Sequence, residues 1–410
     1  MAVKKLLILG GGMAALSAAE AAREANPTVE IVMVAREPEY PYLRFRLSSF
    51  IGKTVDTAQL GIKKPHWYEE KKIKLLRGTA ALAINNAKKE VSLNNGETIY
   101  YDRLIIATGS RAIKPSIVGS ELPQVHTLRT LEDLRKINIG IQRKEEARCS
   151  VVIVGGGLLG LEAAWDLLQK GFSVTVLERG SYLLRRQLDE EGAKFLEERA
   201  CQEGLNLIKS ANVAEIHSKN EQLEIHLQDG RVLEGFMTLF SVGVQPQLNL
   251  LRQGQLSMER GLVVNANMNT SDPAIFAAGD AAEYEGKIPG LWAVAMEQGK
   301  VAGYNAVTDP AQWRSYAGFT PASMLNVLGT KVFSLGQIDS KDIEVTTLQE
   351  IDEKKGQYKK VFLRQSRIIG AILLGDLTIA NRLREAIATK RDFSKQELSD
   401  FMNLRQSLGL

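Results

Sequence analysis

Hydrophobic and polar positions along this chain alternate with two different periods, and the order of those periods repeats. "LLILGGGMAAL", starting at Leu6, is a continuous apolar run, a triple glycine and the start of an alanine-rich segment with helical spacing. "VVIVGGGLLGL", starting at Val151, has the same form. An unbroken apolar run of this length is the mark of a strand buried on both faces, as in parallel sheets. The pattern predicts a strand over 4–9, a helix over 13–25 and a strand over 30–35, which together make a βαβ unit. The second copy predicts a strand over 150–154, a helix over 158–170 and a strand over 173–177.

Each copy continues in the same way. "TAALAIN", "EVSL" and "ETIYY", with the "NNG" turn at Asn94–Gly96, alternate as a β-meander does, and "RLIIATGS" follows as another buried strand. "VAEIHS", "LEIHLQ", the "DG" turn and "FMTLFSVG" repeat that series. The repeat therefore concerns whole domains rather than one loop. Beyond about residue 318 the pattern changes. "KVFSLG", "IEVTTLQEI", "YKKVFLRQ" and "RIIGAILLG" read as strands, and 376–389 and 394–404 as helices.

This reading gives an α/β protein with two Rossmann-like (three-layer ββα) nucleotide-binding domains plus a small C-terminal α+β domain. The expected boundaries are 1–115 for the first part of the first domain, 116–241 for the second domain, 242–318 for the return to the first, and 319–410 for the third. A length of 410 residues suits two or three cores rather than one.

Composition narrows the function. A net charge of +4 permits an acidic protein partner but is too small to argue for nucleic acid. The two cysteines, Cys149 and Cys201, form no paired motif, so a disulfide framework, a zinc site and a cysteine-bound cluster are not expected; four scattered histidines make no metal site. The N-terminal lysines and apolar run imitate a signal peptide, but the run breaks at the glycines, and strand–turn–helix is the better reading. No apolar run reaches the roughly 18–20 residues that span a bilayer, so no membrane partner and a cytoplasmic location are expected.

The chemistry lies in the glycine turns. Gly10, Gly11, Gly12, Met13, Ala14 and Ala15 fit G-x-G-x-x-A, and Gly155, Gly156, Gly157, Leu158, Leu159 and Gly160 fit G-x-G-x-x-G. The first glycine allows a tight turn, the second lets the backbone approach a pyrophosphate, and the last small residue lets helix pack on strand. The helix N-terminus then offers free N–H groups and the positive end of its dipole. About 20 residues on, an acid should meet a ribose hydroxyl pair. Glu178 fills that place in the second copy and favours NADH over NADPH, while the adjoining Arg179 suits a 2′-phosphate and keeps the alternative open. In the first copy Glu37 is the candidate acid, with Arg36 against adenine or ribose; a solvated loop charge is the alternative reading of Glu37.

With these pieces in order, the chain resembles the FAD/NAD-dependent pyridine-nucleotide oxidoreductase family over about residues 1–310. The resemblance rests on the two glycine turns, "LIIATGS" at Leu104–Ser110, "SVGVQP" at Ser241–Pro246 and "IFAAGDAAE" at Ile275–Glu283. It implies FAD in the first domain and NAD in the second, with Asp280 on the flavin's ribitol and Thr108 and Gly109 letting the chain cross close to the flavin. Gly243 and Trp292 join the implied cofactor contacts. "PYLRFRLS", Pro41–Ser48, and "VFLRQSRIIGAILLGD" are similar to segments of NADH:rubredoxin reductases and of the flavin part of NADH-dependent nitrite reductases. That closer resemblance implies a basic residue near the flavin paired with a glutamate of the second domain. Here these are Arg44, with Arg46 as runner-up, and Glu162, the implied catalytic residues.

The segment "YLRFRLSSFIG" lacks the cysteines that disulfide-reducing and peroxide-reducing relatives carry there. Electrons are then expected to leave the flavin directly. Two readings stay open: an enzyme passing electrons between NADH and a rubredoxin- or ferredoxin-like protein, or the FAD/NAD-binding subunit of a larger oxidoreductase complex that reduces NAD. A homo-oligomer is compatible with either. A nucleic-acid-binding flavoprotein is disfavoured by the weak net charge.

Overall fold

The computed structural model describes residues 3–142, 149–251, 256–288, 290–320, 322–338 and 342–402. The chain divides into two compact units. The first comprises residues 1–47, 54–113 and 243–319; the second comprises 48–53, 114–242 and 320–410.

In the first unit, five parallel strands stand in the order Ile275–Ala277, Arg103–Ile106, Lys5–Leu9, Glu30–Ala35 and Ile73–Arg77. Leu6, Leu7 and Ile8 in the central strand are fully buried, as expected for a strand covered on both faces. The helix Met13–Ala25 packs on the helix Trp292–Val307 so closely that side chains at Gly299 and Gly303 would strike the carbonyl oxygens of Ala14 and Ala18 at 2.3 and 2.1 Å. The meander Ala81–Asn85, Glu90–Leu93 and Thr98–Tyr100 adds Ile84, Val91 and Leu93 to the same core. The strand over 30–35 and the helix over 13–25 coincide with the sequence expectation; the first strand begins one residue later, at Lys5.

The second unit repeats the plan. Parallel strands run in the order Asn206–Lys209, Ser173–Glu178, Ser150–Val154, Met237–Phe240 and Val125–Thr127. The antiparallel meander Val213–Lys219, Gln222–Leu227 and Val232–Gly235 packs Ile216, Leu223 and Ile225 against Val152 and Leu177. The same unit holds a second, antiparallel sheet ordered Ala322–Val327, Thr330–Gly336, Arg367–Leu374, Gln357–Arg364 and Val345–Asp352. The helices Ala380–Ala388 and Lys395–Met402 cover it. The first is shorter than the segment expected; the second begins at Lys395, and positions 403 and 404 lie outside the described residues. This sheet keeps its own core, yet its residues group with those of the second glycine turn.

Among the described residues no helix is long and apolar enough to cross a membrane, and no group of three or more His, Cys, Asp or Glu could hold a metal ion.

Candidate functional site

The two glycine turns divide their glycines between two tasks. Gly10 has φ +143°, and a Cβ there would lie 2.1 Å from the Ala107 carbonyl oxygen. Gly155 has φ +118° and would lie 2.4 Å from the Ser241 carbonyl oxygen. Only glycine tolerates either place. Gly160 cannot carry a side chain because Gly155 O would be 2.1 Å away, while Ala15 fills the corresponding place in the first turn.

Gly12 and Gly157 are different. Both have ordinary extended backbone, at φ −103° and −86°, and a Cβ on either would meet nothing within 4 Å. Each is the N-cap of its helix, Met13–Ala25 or Leu158–Leu168, and neither helix has a side-chain cap. A helix start normally takes a Ser, Thr, Asp or Asn oxygen for its free N–H groups. Here that role is open, in front of an open space, twice. This is the cradle that a pyrophosphate requires, and the residues fit a dinucleotide in each unit.

Around the first turn, the chain crosses at Gly109, φ +69°, where Gln247 donates its N–H to the Gly109 carbonyl at 2.9 Å. The Thr108 hydroxyl donates to the Gln247 carbonyl at 2.8 Å. Asp280 lies in the single turn Gly279–Ala281, and its carboxylate accepts from the Ser110 hydroxyl at 2.6 Å. Gly243, φ +113°, accepts the N–H of Ile113 at 3.0 Å in this same unit. Exposed Trp292 packs edge-on against Phe45, with ring centroids 6.0 Å apart.

Glu37 does not stand alone at the strand end. Its carboxylate accepts from the Tyr42 hydroxyl at 2.7 Å and from the Arg44 guanidinium, which also donates to the Tyr42 oxygen at 2.9 Å. Burial alone would lower the Arg44 pKa. Tyr42, Glu37 and then Asp280 outweigh that and hold it above its ordinary value. Arg36 beside them is exposed. Tyr42 and Ser110 join the site beyond the residues expected from the sequence; each lies in a motif of the resemblance, Pro41–Ser48 or Leu104–Ser110.

Around the second turn, Glu178 ends its strand and accepts two backbone N–H groups, from Gly156 at 2.8 Å and from Gly180 at 2.6 Å. The candidate ribose acid thus also ties the turn to the loop that follows. Leu158 and Leu159 open the helix, Leu159 with its side chain exposed. Glu162, one turn further, accepts from the Ser48 hydroxyl at 3.2 Å. Burial first, and Asp166 less strongly, push the Glu162 carboxyl above its ordinary pKa, against the lowering effect of Ser48. In the first unit Arg44 bonds Glu37 and Tyr42, and in the second unit Glu162 bonds Ser48. Both cysteines are free thiols, Cys149 half-buried and Cys201 exposed.

Comparison with known proteins gives a family match over both parts of the chain. Residues 4–299 match the pyridine nucleotide-disulphide oxidoreductase model, and residues 321–391 match the rubredoxin NAD+ reductase C-terminal domain. The NADH-rubredoxin oxidoreductase of Clostridium acetobutylicum is 33% identical over 95% of this chain and 96% of its own length. A solved structure of that organism's NADH:rubredoxin oxidoreductase superposes with a TM-score of 0.79 at 30% identity, over 98% of this chain and all of the other. The assimilatory nitrate reductase electron transfer subunit of Bacillus subtilis is 31% identical over 96% of this chain, but the chain spans only 50% of that protein's length.

Proposed function

This chain belongs to the pyridine nucleotide-disulphide oxidoreductase family, and from that premise we propose that it is an FAD-dependent oxidoreductase passing electrons between NADH and a small rubredoxin- or ferredoxin-like protein. The observation that carries the reading is the pair of open glycines, Gly12 and Gly157, each at an uncapped helix start. One cradle suits FAD and the other NADH.

In the first unit Gly10, Gly12, Met13, Ala14 and Ala15 form the pyrophosphate turn. Arg36, Glu37, Thr108, Gly109, Asp280, Trp292 and Gly243 are the further candidates to hold FAD. In the second unit Gly155, Gly157, Leu158, Leu159, Gly160 and Glu178 would hold NADH. A carboxylate at Glu178 attracts ribose hydroxyls and repels a 2′-phosphate, which supports NADH over NADPH. The bound flavin supplies the step between a two-electron donor and one-electron acceptors. Arg44, whose pKa Tyr42, Glu37 and Asp280 hold above its ordinary value, places a positive charge in the first unit. Glu162 takes its proton more readily than an ordinary glutamate. With no cysteine in "YLRFRLSSFIG", no thiol relay is needed, and the electrons leave to a docked acceptor.

The test is anaerobic. NADH should bleach the flavin band of the purified yellow protein, and stopped-flow mixing with rubredoxin or ferredoxin should restore it faster than free dyes of similar potential do. A colourless protein that still oxidises NADH would overturn the reading of the first turn. A second reading, the FAD/NAD-binding subunit of a larger complex, is favoured by the relatives of about twice this length. Copurification of a stable partner that accepts or delivers the electrons would select it.

A further inference from the structure

The loop after Glu178 rests on the second glycine turn. Leu184 donates its N–H to the Gly156 carbonyl at 3.1 Å, and a Cβ on Gly156 would fall 2.3 Å from Leu183 Cδ2. The Leu183 N–H is held at 2.9 Å by the buried Glu197, itself paired with Lys209 at 2.6 Å. Leu184 has φ +52°, a conformation a leucine keeps only where its surroundings fix it. The loop ends at Asp189, whose Oδ1 caps the helix Glu190–Gln202 by accepting from the Gly192 N–H at 3.0 Å.

Asp189 is held in turn by the antiparallel sheet of the same unit. The Tyr358 hydroxyl lies 2.9 and 3.0 Å from its two oxygens, and Lys360 Nζ lies 2.7 Å from Oδ2 and 2.8 Å from Glu191. Tyr358 is completely buried and Lys360 is 6% exposed. Gly192 makes room for the tyrosine: a Cβ there would be 3.2 Å from its ring. An N-cap needs only the aspartate. Burying a lysine is costly unless it is fully paired, and Tyr358 and Lys360, both distant in the chain from Asp189, are buried to grip this one carboxylate.

We propose that Tyr358 and Lys360 are positioning residues for the dinucleotide turn, so that the C-terminal sheet sets the affinity for the adenosine-diphosphate half of NADH. The path runs from Lys360 and Tyr358 to Asp189, through the loop to Leu184 and Leu183, and onto Gly156, which Glu178 also holds. Burial works against the Lys360 charge, and its hydrogen bonds to Asp189 and Glu191 more than offset it, holding the ammonium above its ordinary pKa. The inference rests on the reading that the second turn takes NADH.

The experiment uses the full FAD-loaded chain and the variants Tyr358→Phe, Lys360→Met, Lys360→Arg and Glu178→Ala. ADP-ribose binding is measured by calorimetry, the NADH dependence of flavin reduction by stopped flow, and Tm by calorimetric scan. In Lys360→Met the Kd for ADP-ribose and the KM for NADH should rise about tenfold, with the limiting reduction rate within about twofold of wild type. Tyr358→Phe should show the same split, smaller. Lys360→Arg, which keeps the charge, should restore most of the affinity. If Lys360→Met does not fold, Tyr358→Phe carries the test, since it removes one oxygen and keeps the ring. A lowered Tm with unchanged Kd in both variants, while Glu178→Ala still weakens ADP-ribose, overturns the positioning role alone. Unchanged ADP-ribose binding in Glu178→Ala as well overturns the reading of the second turn, and this inference with it.

Discussion

The Ser110 hydroxyl donates a 2.6 Å hydrogen bond to the Asp280 carboxylate, joining the start of the strand Ser110–Ala112 to the single turn Gly279–Ala281, with 170 residues of chain between the two side chains. Both residues follow strands of the parallel sheet, Arg103–Ile106 and Ile275–Ala277, at the ends where open α/β sheets bind ligands. If Asp280 holds the flavin's hydroxyls, Asp280→Ala removes hydrogen bonds to a charged group, worth about 1.5–3 kcal/mol each. FAD affinity should fall by about tenfold or more. Flavin per chain after gel filtration, read from the ratio of visible to protein absorbance, checks it. Full retention of flavin would remove Asp280 from the site.

The division of labour between the glycines predicts opposite outcomes for two neighbouring substitutions. Gly10→Ala forces a side chain to within 2.1 Å of a backbone oxygen at φ +143°. It should cost about 2–4 kcal/mol of stability or abolish folding. Gly12→Glu meets no protein atom where its Cβ would stand. It should fold with near-normal circular dichroism and yet bind no flavin. A yellow Gly12→Glu protein would contradict the pyrophosphate reading.

What the sequence made legible is what local pattern encodes. The strand Glu30–Ala35 and the helix Met13–Ala25 were delimited correctly because an unbroken apolar run and an alanine-rich amphipathic run each have a definite period. The helix Leu131–Gln142 was not read. For the helix Glu190–Gln202 the sequence shows a helical stretch around Cys201 without its start, although Asp189 followed by two glutamates is an N-terminal signal. Candidate site residues were legible where a motif has fixed spacing, as with Gly12, Gly157 and Glu178. Their partners were not. The Tyr42–Glu37–Arg44 cluster forms within one irregular loop, and Ser110 on Asp280 and Lys360 on Asp189 arise from chain crossings; neither leaves a periodic trace. The grouping of residues 320–410 with the second glycine turn was equally hidden, since a change of composition marks a boundary without saying what lies against it.

Tyr101 follows the meander of the first unit, 4% exposed, with no hydrogen-bond partner for its hydroxyl among the described residues. Burial, and secondarily the charge of Asp272, push its phenol up to about 12. The folded chain therefore keeps a proton that the unfolded chain releases near pH 10. The stabilising contribution is whole below about pH 10 and is lost as pH rises through about 12, on the order of 2 kcal/mol. Tyr101→Phe should flatten the alkaline fall in denaturant midpoint between about pH 10 and 12. Near neutral pH it should cost little, because the lost hydroxyl is unpaired. Parallel curves for the two proteins would refute this account.

Electron exit gives the last prediction. Arg382 and Arg384 lie on the exposed side of the helix Ala380–Ala388, their guanidinium carbons 4.4 Å from the Phe401 ring centre and 5.3 Å from that of Phe333. Arg391 is paired with Glu397 at 2.8 Å, and the adjoining Lys390 is exposed. The ring contacts favour the orientation in which both charges stand at the surface. A patch of positive charge steers an acidic carrier mainly through its association rate, and salt screens that steering over about 10 Å at 0.1 M. Arg382→Glu with Arg384→Glu should slow flavin reoxidation by an acidic protein acceptor and leave flavin reduction by NADH intact. The substitutions also remove the ring contacts, each worth about 0.5–1 kcal/mol at exposed sites. Arg382→Gln with Arg384→Gln is therefore the control: it loses the same contacts but should slow reoxidation less than charge reversal does. Equal slowing in both pairs would mean that packing, not charge, is responsible. If both half-reactions stay unchanged and wild-type reoxidation ignores salt, this helix is not the exit, and an acceptor bound permanently as a neighbouring subunit becomes the better reading.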